Sequence, residues 1–372
     1  MSVVVVWVLL GTLFIMFMIL THEAGHFFAS KAVGITPKTF SIGFGPEIKG
    51  WDRGGTRYAI KWFLAGGSVQ ILGMNPDEEI SEEEWPNSYY AKPPWKRAIV
   101  IIAGSFVHLC IAFFLLWLVF WATGVPVVGD STKVGEAPKK APLSSGKDVA
   151  GPGYKVGIKK GDVITSVNGV AVHNWDQLSK QLRKNPGKEV TLVVKRGEKT
   201  LAFKATLLND KGVGRLGIER AIRMERYNPL VAIGKAGRAI GSITVALGKA
   251  LGSVFSVKTL KVLFGTAPRS ETPLMGPVGA TRATFQAAHQ GTAVFLSWIA
   301  YLFFILALFN LLPLPPLDGG FLLVIVIEKL FHKRIDPHKL VPVAAVVLVV
   351  LSVVALRLAM LDIFNPLKNP FR

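Results

Sequence analysis

VVVVWVLLGTLFIMFMILTHEAGH, residues 3–26, is the stretch on which the reading of the fold turns. Val3–Leu20 carries no charge and is close to the ~20 apolar residues that a membrane-spanning helix requires. It runs directly into His22-Glu23-Ala24-Gly25-His26. On a helix, residues four apart share a face, so both imidazoles can bind one Zn²⁺. Glu23 stands beside them and can take a proton from water. HExxH also arises by chance in soluble helices. Ionisable groups at the end of an apolar span are costly and carry function by default.

Working outward, three more stretches read as spans: Ile99–Trp121, Ala293–Leu317 and Val341–Leu361, the last containing one charge, Arg357, expected to snorkel to an interface. Composition agrees. Of 372 residues, 51% are apolar and 18% charged, with a mean hydropathy of +0.42, which excludes a disordered chain and an ordinary soluble enzyme. The single cysteine, Cys110, excludes intramolecular disulfides and CxxC metal sites. The first run has the look of a signal-peptide core. It has no basic residue before it and no small-residue cleavage site, so it is expected to be retained.

Orientation follows from Lys and Arg in the short flanks. Residues 1–2 have none, whereas nine lie between Lys31 and Arg97, and Lys329, Lys333, Arg334 and Lys339 lie between the last two spans. Those two loops are expected in the cytoplasm, and the N-terminus and residues 123–292 outside. That outer stretch holds 27 Lys and Arg against 11 Asp and Glu, which long translocated segments tolerate. The formal charge of +19 then favours anionic lipids as partners, with no nucleic acid.

The chain divides into residues 1–125 (two spans and a cytoplasmic β-loop region), 126–208, 209–292 and 293–372 (two spans). Short strands are expected at Thr39–Ile42, Arg57–Trp62 and Ser68–Leu72 between Gly-rich turns, followed by a solvated acidic run, Asp77–Glu84. In 126–208, the order is a strand, an Asn168-Gly169 hairpin turn, a helix capped by Asn174, and paired strands Glu189–Lys195 and Thr200–Leu207. This order, with GDVITSVNG at 161–169, resembles a PDZ domain. Residues 134–153 read as a mobile loop. Residues 228–262, with Lys235, Arg238, Lys249, Lys258 and Lys261 spaced along a helical pattern, read as an amphipathic segment on the outer membrane face rather than a fifth span. His173, His289, His332 and His338 read as surface residues.

A catalytic zinc takes three protein ligands. Asp318 ends the third span in Asn310-Leu311-Leu312-Pro313-Leu314-Pro315-Pro316-Leu317-Asp318-Gly319-Gly320. Three prolines break the helix there, and broken backbone at membrane depth is tolerated only where it is buried in protein or lines a cavity.

With these motifs in place, the chain resembles the site-2 protease family, the M50 intramembrane zinc metalloproteases, and within it the bacterial members that cleave anti-sigma factors. The likeness includes HEAGH at 22–26, SIGFGP at 41–46, AGGSVQILGM at 65–74, KPPWKRAIVIIAG at 92–104, one PDZ-like insert, GPVG at 276–279 and NLLPLPPLDGG at 310–320. The resemblance implies an α-helical integral membrane protein of the inner membrane, with four transmembrane helices, a membrane-associated β-loop and an inserted PDZ-like β-domain. It implies His22, His26 and Asp318 as zinc ligands and Glu23 as general base. It implies Asn310 and the β-loop residues Gly67, Ser68, Val69, Gln70 and Ile71 as substrate-binding. The substrate would be a single-pass membrane protein already trimmed by a first protease. The family's usual Gly-Pro-x-x-Asn is here Gly104-Ser105-Phe106-Val107-His108. His108 is either an oxyanion donor in place of that asparagine, a group approaching the zinc, or a packed histidine. Two rivals are a non-catalytic PDZ adaptor and a membrane-anchored zincin acting on soluble peptides. An adaptor needs none of the four metal-site residues, and a zincin of that kind needs its HExxH helix in a water-facing domain.

Overall fold

The computed structural model describes residues 3–75, 77–143, 148–254, 256–265, 269 and 274–367. They form two compact units, Gly124–Tyr227 and the remainder of the chain on either side of it. Helices α1 (Val3–Val33) and α2 (Pro94–Leu118) flank strands β1 (Pro37–Arg53) and β2 (Thr56–Ile71). Helices α3 (Pro152–Lys155) and α4 (Trp175–Arg183) belong to the inserted unit. Then follow α5 (Pro229–Val254), α6 (Val257–Leu263), α7 (Pro277–His289), α8 (Thr292–Asn310), α9 (Asp318–Phe331) and α10 (Leu340–Phe364).

Five helices among the described residues are long and apolar enough to cross a membrane: Gly11–Val33, Pro94–Thr123, Pro229–Lys249, Thr292–Asn310 and Pro337–Phe364. Four of them match the expected spans, and the fifth is the segment expected to be amphipathic. In that helix Ala232 and Ala236 are fully buried, with Ala239, Ile240 and Ile243 packed along the same stripe, while Arg238 and Lys249 are exposed. The stripe has the i, i+4 spacing of a helix that buries one face. α5 is therefore a packed helix, tied to α2 by Trp117 Nε1 donating to the Pro229 carbonyl at 3.0 Å.

The membrane unit has two apolar clusters. One joins Met18 of α1, Ala112 and Leu116 of α2, Ala236 of α5 and Ile299, Ala300, Phe303 and Phe304 of α8. The other joins Val33, Ile35, Ile71 and Tyr89 to Val100 and Ile101 of α2 and Ile325 of α9. Between the clusters, α1 and α2 come within backbone contact. A Cβ on Gly25 would stand 2.6 Å from the Ala103 carbonyl oxygen, a distance that no side chain tolerates.

The expected short strands are parts of two long ones. Thr39–Ile42 pairs on one side with residues 67–70 running the opposite way, and on the other with residues 57–60 running the same way. Residues 57–60 pair in turn with 49–52. The glycine turn at 43–45 is a bend inside β1, with Gly43 at φ 89° and Gly45 at φ 87°, rather than a strand end. Residues 67–70 form one edge of this curled ribbon and residues 49–52 the other. The acidic run is solvated as expected; Lys38 pairs with Glu84, and Glu78 Oε2 accepts from Gly73 N at 2.7 Å.

Arg357 does not snorkel freely. Its Nε donates to the Leu263 carbonyl at 2.7 Å, satisfying the C-terminal end of α6. α10 is held to α7 by buried Asp362, which accepts from Arg269 at 3.0 Å and from Gly279 N at 2.8 Å.

The inserted unit is β-rich. Its four-stranded sheet orders 199–206, 189–196, 163–167 and 170–171 around a core of Ile164, Leu178, Val190, Leu192 and Val194. Asn168 (φ 52°) and Gly169 (φ 80°) make the expected hairpin turn, and the Asn174 side chain caps α4 by accepting from Gln177 N at 2.9 Å. Arg196 donates to both oxygens of buried Asp162, and the guanidinium holds that carboxyl below its usual range. Two expectations differ. The unit runs on past residue 208, because Ile222–Glu225 pairs with Val125–Val128 and closes it. Residues 134–153 are not one loop. Val134–Glu136 pairs with Glu219–Arg220 and Lys140–Pro142 with Asp148–Ala150, while 144–147 lie outside the described residues.

Candidate metal centre

The 3.6-residue period of α1 turns His22 and His26 to the same side, and both are buried. Asp318 arrives from the far end of the chain. The turn 311–317 stops α8 at Asn310, and Asp318 opens α9, where the exposed N–H groups of a first turn favour a carboxylate. Asp318 Oδ2 lies 3.1 Å from His22 Nε2 and 3.4 Å from His26 Nε2, and the two Nε2 atoms are 3.1 Å apart. No other group of three or more His, Cys, Asp or Glu among the described residues converges in this way.

The donor set fits a zinc ion. Ligand atoms ~2.1 Å from a tetrahedral Zn²⁺ stand about 3.4 Å from one another. The chemistry agrees with the spacing. His26 Nδ1 donates to the Val100 carbonyl at 2.8 Å, so Nε2 of the neutral ring is a lone pair. That lone pair faces Asp318 Oδ2, which is buried and has no hydrogen-bond donor. Two acceptors turned toward one point suit a cation there.

Space for the imidazoles comes from α2. A Cβ on Gly104 would stand 2.5 Å from His26 Nε2 and 2.7 Å from His22 Cε1, so any side chain at 104 would displace the rings.

The family pattern of Peptidase family M50 matches residues 10–355. The chain belongs to peptidase family M50. Relatives match over nearly their whole length. Zinc metalloprotease Rip1 of Mycobacterium tuberculosis is 28% identical over 400 residues, covering 97% of this chain and 98% of that one. A putative zinc metalloprotease of Clostridium acetobutylicum is 27% identical over 358 residues, covering 94% and 95%. One from Nostoc sp. is 31% identical over 325 residues, covering 85% and 84%. The PDZ domain of the SdrC-like protein of Listeria monocytogenes aligns with 26% of this chain and 93% of its own, at 22% identity and a TM-score of 0.20, too low to argue from.

In this M50 peptidase the remaining candidate residues fall into two groups. Glu23 and Asn310 stand at the metal centre. Val69 N donates to Glu23 Oε2 at 2.9 Å, and Asn310 Nδ2 lies 3.4 Å from His22 Nε2. The Val69 contact was not legible in sequence, since it joins residues 46 apart. It also sets the direction of the strand. In antiparallel pairing, alternate residues turn their N–H and C=O away from the partner. Val69 N–H points to Glu23, so Gly67 shares that outward direction. Ser68 and Gln70 face Ser41 and Thr39 in the register, with Ser68 Oγ 2.9 Å from Ser41 Oγ. The Ile71 side chain is buried among Val33, Ile35 and Val100, leaving it no side-chain role toward a substrate.

His108 is fully buried with its ring centroid 5.0 Å from that of His22 and edge-on to Phe303. Its Nε2 is 2.8 Å from the Met18 carbonyl, which can only accept, so Nε2 carries the proton and Nδ1 is left without a partner. A neutral ring held this way has no second proton for an oxyanion. The geometry matches the packed histidine among the three readings.

His173, His289, His332 and His338 are exposed, as expected.

Proposed function

We propose that this chain is an intramembrane zinc endopeptidase that hydrolyses a peptide bond within the transmembrane segment of single-pass membrane proteins. The observation that carries the reading is the convergence of His22, His26 and Asp318 at the ends of apolar helices, with Glu23 and a strand edge beside them.

His22 Nε2, His26 Nε2 and Asp318 Oδ2 would hold the metal. Zn²⁺, when bound there, supplies a Lewis acid that polarises the scissile carbonyl and makes water acidic near neutrality. The rest falls to the chain. Val69 N–H fixes one oxygen of Glu23, leaving the other to take the proton from the attacking water and to return it to the leaving amine. Residues 67–70, paired on one side only, offer an edge to an unwound substrate helix, and Asn310 stands to hold that segment beside His22.

In this reading the cell membrane is crossed by four helices, with α5 lying beside α2 at the outer face. The spaced charges Lys235, Arg238 and Lys249 support that placement. The basic flanks support an outside N-terminus and an outside position for the inserted PDZ-like unit, where the unit would restrain access by substrates with bulky outer domains. An anti-sigma factor trimmed by an earlier protease has the required form.

The test is zinc content. Asp318→Ala is expected to purify without stoichiometric zinc and without activity, while Glu23→Gln keeps zinc. One zinc per chain in Asp318→Ala, by elemental analysis, would place the third ligand elsewhere.

A further inference from the structure

Between the start of α2 and the end of α9 lies a cavity of about 490 Å³, within the ~300–1,000 Å³ of small-ligand pockets. Its wall is basic. Lys92 and Arg97 come from the α2 side, and Lys329, His332, Lys333 and Arg334 from the α9 side. One carboxylate, Glu328, faces them, and it is already spent. Its Oε2 accepts from Arg97 Nη1 at 2.8 Å and its Oε1 from Ile335 N at 3.0 Å. Lys92, Lys329, Lys333 and Arg334 have no carboxylate partner among the described residues. Arg97 is 2% exposed, and its Nε is buried without a hydrogen-bond partner. A donor in that state is costly unless something completes it.

The missing partner is an acceptor of negative charge, and the position says where it comes from. The candidate span of α2 begins at Pro94, on the rim of the cavity. Trp95 beside it is 59% exposed, Lys96 lies over its ring, and Tyr90 is held between Arg97 and Arg334. Exposed Trp, half-buried Tyr and Lys at a helix end mark the headgroup level of a bilayer. Basic pockets between membrane helices at that level take lipid headgroups.

We propose that this cavity binds the phosphate of an anionic lipid headgroup. The lipid would bridge α2, whose Val100 carbonyl orients His26, and α9, which opens with Asp318. The inference uses the membrane placement of α2 and is independent of proteolysis.

The experiment takes the full chain in uncharged detergent doped with equal dioleoyl phosphatidylglycerol and dioleoyl phosphatidylcholine, and reads retained lipid by native mass spectrometry. Phosphatidylglycerol is expected to be retained over phosphatidylcholine by about tenfold or more. Lys92→Gln/Lys329→Gln/Lys333→Gln is expected to abolish the preference. Lys184→Gln/Lys188→Gln/Lys199→Gln, with the same charge change on the exposed surface of the inserted unit, should keep it. If the first triple variant fails to fold, the exposed pair Lys329→Gln/Lys333→Gln gives the same readout with about a tenfold loss. Equal retention of the two lipids, or equal loss in the two triple variants, overturns the proposal. So does displacement of the lipid by millimolar inorganic phosphate, which would make the ligand a free anion.

Discussion

Glu23 and Gly104 show how little separates this site from an inert pair of helices. HExxH and the period of a helix made His22, Glu23 and His26 readable from sequence, and three prolines before Asp318 made the distant carboxylate readable as well. Gly104 carries no signal of its own in the sequence. Its role is steric and needs the second helix in place, because a methyl group there would meet both imidazoles. Gly104→Ala is therefore expected to fold and to lose zinc affinity by about 10–100-fold, the usual scale for disturbing groups that orient ligands. Competition with a chelator measures it. Wild-type affinity would mean that the rings are not confined by α2. His108 was legible as an anomaly only; that its Nε2 faces the Met18 carbonyl depends on packing that no spacing reveals.

At the scale of elements, apolar length predicted α1, α2, α8 and α10. Two features escaped. α9 has only seven consecutive apolar residues, Phe321–Ile327, before Glu328, too few to stand out as a span, so it read as loop. β1 and β2 read as three short strands because glycines punctuate them, whereas Gly43 and Gly45 bend a continuous strand. The edge at 67–70 nevertheless lies where the alternation of Ser68–Leu72 suggested, and it touches Glu23. Val69→Pro deletes the one outward N–H of that residue, which donates to Glu23, and puts a proline into the strand edge. Cleavage is expected to fall by ~10²-fold or more with zinc content unchanged. A Val69→Pro enzyme that cleaves normally would remove the strand edge from the mechanism. A helix in this site loses its internal hydrogen bonds at ~1–3 kcal/mol for each buried group left unpaired, so helix-breaking residues in a substrate span should also speed its cleavage.

For the whole molecule, the near boundary of the inserted unit was legible at residue 125, just past the end of the second apolar span. Its far boundary was not, because the closing strand Ile222–Glu225 is short and charged and acquires meaning only when paired with Val125–Val128. That pairing brings the ends of the inserted unit together, the geometry that makes a unit removable. It also carries no cluster of metal-binding groups among its described residues. Replacing residues 129–221 by a short Gly/Ser linker is expected to preserve cleavage of a shortened substrate and to permit some cleavage of the full-length one. A folded, zinc-loaded deletion variant inactive on the shortened substrate would give the unit a part in the reaction itself.

In the proposed reaction, proton transfer by Glu23 takes place at a metal centre that opens on a transmembrane substrate. This is tested most directly by reconstituting wild type and Glu23→Gln in vesicles with a tagged single-pass substrate and locating the cut by mass spectrometry. A cut inside the substrate's apolar span is expected from wild type, and a rate lower by ~10²–10⁴-fold from Glu23→Gln at equal zinc content. Near-wild-type cleavage by Glu23→Gln, or a cut confined to the substrate's soluble domains, would contradict it.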